Sequence, residues 1–356
     1  MEREVCTSGA LISAESGDGE LFDASGCYVI PGLTDIHFHG CKGEDFSDGD
    51  PRGLAVMAAY ELSRGVTQIC PAGMTLPEEQ LFQICRAAAG HRRAGAPGAE
   101  LVGVNLEGPF LSEAKKGAQN GAWLHAPDAE LLRELLKASE GLVKLVSVAP
   151  ELPGALDFIR AVRDEVTVSL AHTTADYDTA MKALALGAGE VTHLFNAMPA
   201  FSHRAPGVVG AALDSPGCRV ELICDGVHIH PAVVRAVFRM FGPERVVLIS
   251  DSIRGAGMPD GQYTLGGQDV TVSGALATLA DGTIAGSVTD LMSCLRKAVS
   301  FGIPLEDAVR AAALNPAEAI GIAGRIGTLD IGKQANIAVL DSELGQKAVI
   351  FAGKAI

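Results

Sequence analysis

Basic residues are scarce in this chain. Its 28 lysines and arginines face 43 aspartates and glutamates, a net charge of −15 that repels nucleic acid and anionic membrane surfaces alike. Neither is expected as a partner, and an anionic substrate would need a local basic pocket. Long apolar runs are also missing, since none approaches the ~18–20 residues that span a bilayer. The first residues, MEREVCTSGALISAES, lack the basic and then apolar pattern of a signal peptide. The eight cysteines make no CxxC pair and no dense cluster, so they read as buried, reduced thiols of a cytoplasmic protein. No glycine-rich dinucleotide loop follows the first apolar run, which speaks against an open, doubly wound sheet.

What is present is an alternation. Short apolar runs at Leu33–Ile36, Thr67–Cys70, Leu101–Leu106, Val143–Val148, Val166–Ala171, Glu190–Phe195, Val220–Cys224 and Val246–Ile249 are separated by helical stretches. The helical stretches are Pro51–Arg64, Pro77–Arg92, Asp128–Ala138, Gly154–Arg163, Asp176–Leu186 and Pro231–Phe241. Eight nearly continuous apolar runs predict strands buried on both faces, as in a closed α/β barrel of the (β/α)8, TIM-like kind. After Ser252 a glycine-rich stretch with β-like alternation predicts a hairpin insertion near 255–285. Two further helical stretches follow, Val288–Phe301 and Leu305–Ile320, the second broken at Asn315-Pro316. Residues 1–30 and 326–356 are β-rich and are expected to form a small β-sandwich, leaving 31–325 as the barrel.

The chain has nine histidines, and two of them stand two apart in TDIHFHG. In a strand, His37 and His39 then share a face while Phe38 takes the other. Two imidazoles on one face can share a metal, although HxH alone is a weak signal. Their company strengthens it. Glu107 ends the third run, His172 the fifth, His193 lies in the sixth, Asp225 and His228 follow the seventh, and Asp251 follows the eighth. In a parallel barrel these positions meet at the C-terminal rim, where active sites lie. Incidental histidines and carboxylates would scatter instead.

The stretches PGLTDIHFHG, LEGPF, ISDS and GTLDIGKQANIAVLD resemble the amidohydrolase superfamily. More narrowly, LEGPFLSEAKKGAQN, VTHLFNAMPAFSHRAPGVVGAAL, ICDGVHIHP and GTIAGSVTDL resemble its N-acetylglucosamine-6-phosphate deacetylase branch, from about Asp23 to the C-terminus. The resemblance implies a barrel with a small β-sandwich, a homodimer, and one or two divalent ions per subunit, zinc or iron. It makes Glu107, His172 and His193 the principal ligands, and His37 and His39 ligands of a second position. Asp251 becomes the catalytic acid/base, and Asn196, Ala197, Arg204 and His228 contacts of the sugar phosphate. Part of that pocket is expected from the neighbouring subunit. Lys144 sits too early in its run to act as a carboxylated ligand and reads as structural.

Two features depart from the branch. Gln119 stands where many members have a histidine that helps orient the acetyl carbonyl, and the N-terminus is shorter by about a strand. The implied reaction is hydrolysis of N-acetylglucosamine 6-phosphate to glucosamine 6-phosphate and acetate. Alternatives are the galactosamine or mannosamine epimer, a cyclic amide or dipeptide, or a metal-free binding barrel. The last is disfavoured by the intact set of Glu107, His172, His193 and Asp251.

Overall fold

A computed structural model of the chain describes residues 4–15 and 21–356; the remaining positions of the expected N-terminal segment lie outside the described residues. Eight parallel strands surround the core. They are β1 (Leu33–Asp35), β2 (Val66–Ile69, continued by Ala72–Gly73), β3 (Glu100–Leu101, continued by Val104–Phe110), β4 (Val143–Val148), β5 (Thr167–Leu170), β6 (Glu190–Val191), β7 (Arg219–Ile223) and β8 (Val246–Ile249). Strands β3 to β8 pair in sequence order, and β2 lies between β1 and β3. Pro71, which has no N–H to offer, interrupts β2.

The seam between β8 and β1 is closed just beyond the strands. Asp251 N–H donates to the His37 carbonyl (2.9 Å), and His39 N–H to the Ser252 carbonyl (2.7 Å). The Ser250 hydroxyl adds a 2.6 Å bond to the Asp35 carboxylate. Ile36, Cys70, Val102, Leu145, Ile223, Val247 and Ile249 pack as one apolar cluster that includes Ile320.

Outside the strands, helices turn one apolar stripe inward. In Pro231–Phe241 the buried residues are Val234, Val237, Phe238 and Phe241, a helical spacing of three and four. Aspartates start several of these helices: Asp50, Asp128, Asp176 and Asp290 each accept a backbone N–H of the first turn. Asp251 has no such role, because the chain after it leads into three antiparallel strands, Gly261–Leu265, Gln268–Ser273 and Leu276–Thr278. This is a meander, one strand more than the expected hairpin.

Two other expectations shift. The sixth apolar run ends as a strand at Val191, because the backbone turns at His193 (φ 28°) and Phe195 (φ 76°). The stretch from Leu305 to Ala319 is helical throughout rather than broken. A π-helical turn at Arg310–Leu314 absorbs the bond that Pro316 cannot donate. At the chain ends, Tyr28–Pro31 pairs with Ile337–Leu340 in a four-stranded sheet, and Cys6–Ser8 with Leu11–Ser13 in a two-stranded one. They share an apolar cluster of Ile12, Ala335, Ile337 and Val339. Among the described residues no helix is long and apolar enough to cross a membrane.

Candidate active site

Glu107 is the hub of the rim. Its Oε1 lies 2.9 Å from His193 Nε2, 3.1 Å from His172 Nε2 and 3.5 Å from His37 Nε2. Its Oε2 lies 3.3 Å from His39 Nε2. Asp251 Oδ1 stands 3.2 Å from His39 Nε2 and 3.7 Å from His37 Nε2. Glu107 lies within β3, the other five follow the ends of β1, β5, β6 and β8, and all six are buried. Strand order alone brings them together, as the parallel barrel requires.

Three of the six sit in backbone conformations that L-residues rarely adopt: His172 (φ 43°), His193 (φ 28°) and Asp251 (φ 49°). Such positions cost about 1–3 kcal/mol each and persist only where the surroundings hold them. Here cross-strand bonds do so. Ser112 N–H donates to the His172 carbonyl and Ser287 N–H to the Asp251 carbonyl, while His193 N–H reaches the Glu221 carboxylate at 3.2 Å.

The electrostatics are those of a buried, mixed cluster. Burial alone would neutralise Glu107, yet His37, His172 and His193 hold its carboxyl well below the usual range. Burial likewise works against Asp251, and His39 and His37 outweigh it, so its pKa is lowered. Burial pushes the imidazoliums down, but Glu221 and Glu107 hold His37 well above its ordinary value. Asp251 and Glu107 push His39 up to about 10. The pocket therefore favours positive charge at its centre.

The residues fit a divalent cation. Glu107, His172 and His193 form one buried group of donor atoms within 4.8 Å of one another, and His37, His39 and Asp251 form a second. His37 Nε2 and Asp251 Oδ1 are buried without a hydrogen-bond partner among the described residues, which is costly unless something else engages them. Imidazole and carboxylate donors suit zinc and iron.

The other expected residues are placed less uniformly. Gln119 is buried behind Glu107. Its Nε2 donates to Glu107 Oε2 (2.6 Å) and its Oε1 accepts from Thr75 N–H (2.7 Å), so both ends of its amide are engaged. Asn196 turns its amide back onto the His193 and Leu194 carbonyls (3.1 and 3.3 Å), pinning the segment that carries Ala197 (φ 51°). His228 Nδ1 lies 2.7 Å from Asp225, and the negative charge of Asp251 also favours its protonated form. Arg204 is exposed and, among the described residues, meets only His203 Nε2 at 2.8 Å; the structure does not bring it into the cluster. Lys144 donates to the Gly141 carbonyl at the opposite end of β4.

One residue of the site escapes the reading of the sequence. Glu221, within the apolar run RVELI, accepts from His37 Nδ1 at 2.9 Å. The available signal was a carboxylate inside a strand buried on both faces, which demands a partner.

The fold and the sequence are shared with known proteins. A sequence model of the Amidohydrolase family matches residues 28–356. N-acetylglucosamine-6-phosphate deacetylase of Vibrio furnissii is 36% identical over 342 residues, 94% of this chain and 86% of that protein. N-acetylgalactosamine-6-phosphate deacetylase of Escherichia coli is 34% identical over 345 residues, 96% and 89%. Among solved structures, a mutant N-acetyl-D-glucosamine-6-phosphate deacetylase from Mycobacterium smegmatis in complex with N-acetyl-D-glucosamine-6-phosphate superposes with a TM-score of 0.92 at 35% identity, covering 98% of this chain and 93% of that one. The chain belongs to the amidohydrolase family, in its N-acetylglucosamine-6-phosphate deacetylase branch.

Proposed function

We propose that this chain hydrolyses the acetamide of N-acetylglucosamine 6-phosphate to glucosamine 6-phosphate and acetate. The observation that carries the reading is the convergence of His37, His39, His172, His193 and Asp251 on the Glu107 carboxylate. Relatives named for this substrate, at 36–38% identity over most of the chain, support it.

Glu107, His172 and His193 would hold one divalent cation, and His37 and His39, beside Asp251, a second; zinc or iron suits these donors. Bound there, a divalent cation supplies Lewis acidity toward an amide carbonyl and toward water. Asp251 acts as the acid/base. Its lowered pKa leaves it ionised and able to take a proton from the attacking water. As the new C–O bond forms and the C–N bond breaks, Asp251 returns that proton to the departing amine, so acetate and the free amine result. Gln119 keeps the Glu107 carboxylate in place through its 2.6 Å bond. Burial of the cluster excludes bulk water and strengthens each of these contacts.

For the sugar phosphate, Asn196, Ala197, His228 and Arg204 are the proposed contacts. An exposed arginine is a fitting phosphate ligand when a second subunit covers it, so a homodimer belongs to the proposal. Light scattering tests that point.

Acetate release tests the whole reading, measured with metal-replete protein on N-acetylglucosamine 6-phosphate, its galactosamine epimer and unphosphorylated N-acetylglucosamine. Fast release from the first substrate alone, absent in Asp251→Asn, is the expected result. Preference for the epimer, which the Escherichia coli relative brings into view, would reassign the sugar while keeping the chemistry. No release from any of the three would sink the reading.

A further inference from the structure

The four candidate histidine ligands are oriented in different ways. The Nδ1 atoms of His39 and His172 face main-chain carbonyls, Ala72 at 3.1 Å and Lys115 at 2.9 Å. His193 Nδ1 has no partner among the described residues, and the residue is held through its own backbone N–H instead. His37 alone has a charged anchor, Glu221 Oε2 at 2.9 Å. That same oxygen accepts the backbone N–H of His193 at 3.2 Å. One carboxylate on β7 thus ties together a residue after β1 and a residue after β6, each from a different group of donors.

The tautomer follows from hydrogen-bond inventory. An ionised carboxylate only accepts, so His37 must carry its proton on Nδ1 and leave Nε2 directed at the cluster. Nε2 is the atom that lies 3.5 Å from Glu107 and 3.7 Å from Asp251. From this geometry we infer that Glu221 is a positioning residue for the cation site, orienting His37 as a ligand of the His37, His39 and Asp251 group and linking that group to the one around Glu107. The inference rests on the metal-dependent reading above.

Packing gives an independent reason. Glu221 is fully buried and, among the described residues, its Oε1 has no partner; neighbouring Glu190 is buried with neither oxygen satisfied there. Three carboxyl oxygens left unpaired inside a barrel, one on Glu221 and two on Glu190, weaken the fold, and an apolar residue of similar volume would serve stability better. Orientation of a ligand is what a carboxylate provides here and a leucine does not.

The test is metal binding, titrated in buffered free zinc or iron with bound metal counted by mass spectrometry, on wild type, Glu221→Leu, Glu221→Gln and Glu190→Gln. Metal-free melting temperatures are recorded alongside. Wild type is expected to take up two equivalents. Glu221→Leu should weaken one of them about 10- to 100-fold and leave the metal-free melting temperature unchanged or higher. Glu221→Gln keeps an acceptor without the charge and should fall between the two. Glu190→Gln, which touches neither histidine, should bind as wild type does. If Glu221→Leu fails to fold, the glutamine variant carries the comparison, and wild-type affinity in it overturns the inference. Wild-type binding in Glu221→Leu, a single equivalent shared by wild type and variant, or an equal loss in Glu190→Gln also overturns it. A wild-type protein that binds no metal would instead overturn the metal-dependent reading itself.

Discussion

The amide N–H of Asp251 donates to the carbonyl of His37 at 2.9 Å, so the bond that closes the barrel also sets the candidate acid/base beside a candidate ligand. Seam and site are one structure. A change that leaves this main-chain bond intact should therefore act on chemistry, and a change that strains it should act on both chemistry and stability.

Asp251→Asn is of the first kind. The backbone bonds on either side of Asp251 remain, while proton transfer and the negative charge beside His37 and His39 are lost. We expect kcat to fall by about 10²–10⁴-fold, with a single cooperative melt retained. Steady-state acetate release and calorimetry check both, and a kcat within tenfold of wild type would remove Asp251 from the acid/base role.

Gly286→Ala is of the second kind. Gly286 has φ +60°, and an added Cβ would lie 2.9 Å from the Asp251 carbonyl oxygen and 2.7 Å from Ile253 Cγ2. A loss of about 1–3 kcal/mol is expected from the backbone conformation, together with a fall in kcat as Asp251 is displaced. Gly189→Ala, with nothing within 4 Å of the new Cβ, is the control and should stay within about 0.5 kcal/mol of wild type. Denaturant melts of the two variants separate these outcomes.

The Asp225–His228 pair carries a pH signature. Burial pushes His228 down, but its 2.7 Å contact with Asp225 prevails and raises its pKa above the ordinary 6.5. Because the folded value is raised, the stabilisation is complete below pH 6.5 and is lost as pH rises through the raised value. If His228 meets the substrate phosphate, KM should rise over that same interval while kcat does not follow it. KM profiles of wild type and His228→Asn decide the matter, since the variant should lack the step.

Metal affinity should fall with falling pH. Without a cation, His37 and His39 hold protons well into the alkaline range, His39 up to about 10, so metal binding must displace them. Calorimetry in buffers of different ionisation enthalpy counts the protons released; a count of zero at neutral pH would contradict the buried carboxylate field described here. Chelation should abolish activity, and added metal should restore it.

Much of this molecule is readable along the chain. The runs Val143–Val148 and Val246–Ile249 and the helix Pro231–Phe241 coincide with the observed elements residue for residue. Apolar periodicity suffices there because each element is bounded by turn residues and buried as a unit. The residues at the strand ends were legible for a related reason, since parallel topology carries every strand's C-terminal end to one rim. The end of the sixth strand at Val191 was not, because His193 takes its turn conformation from Glu221, 28 residues away in sequence.

By itself, then, the sequence determined the barrel, the residue types on its rim and the family. Both the period of a strand and the donor chemistry of a side chain are local properties. Only the tertiary structure decided which acceptor each side chain finds. Gln119 turns onto Glu107, Arg204 remains at the surface, and Glu221 reaches His37 across 184 positions. These pairings depend on distances across the barrel, where packing and the demand of buried polar groups for partners act between residues far apart in the chain.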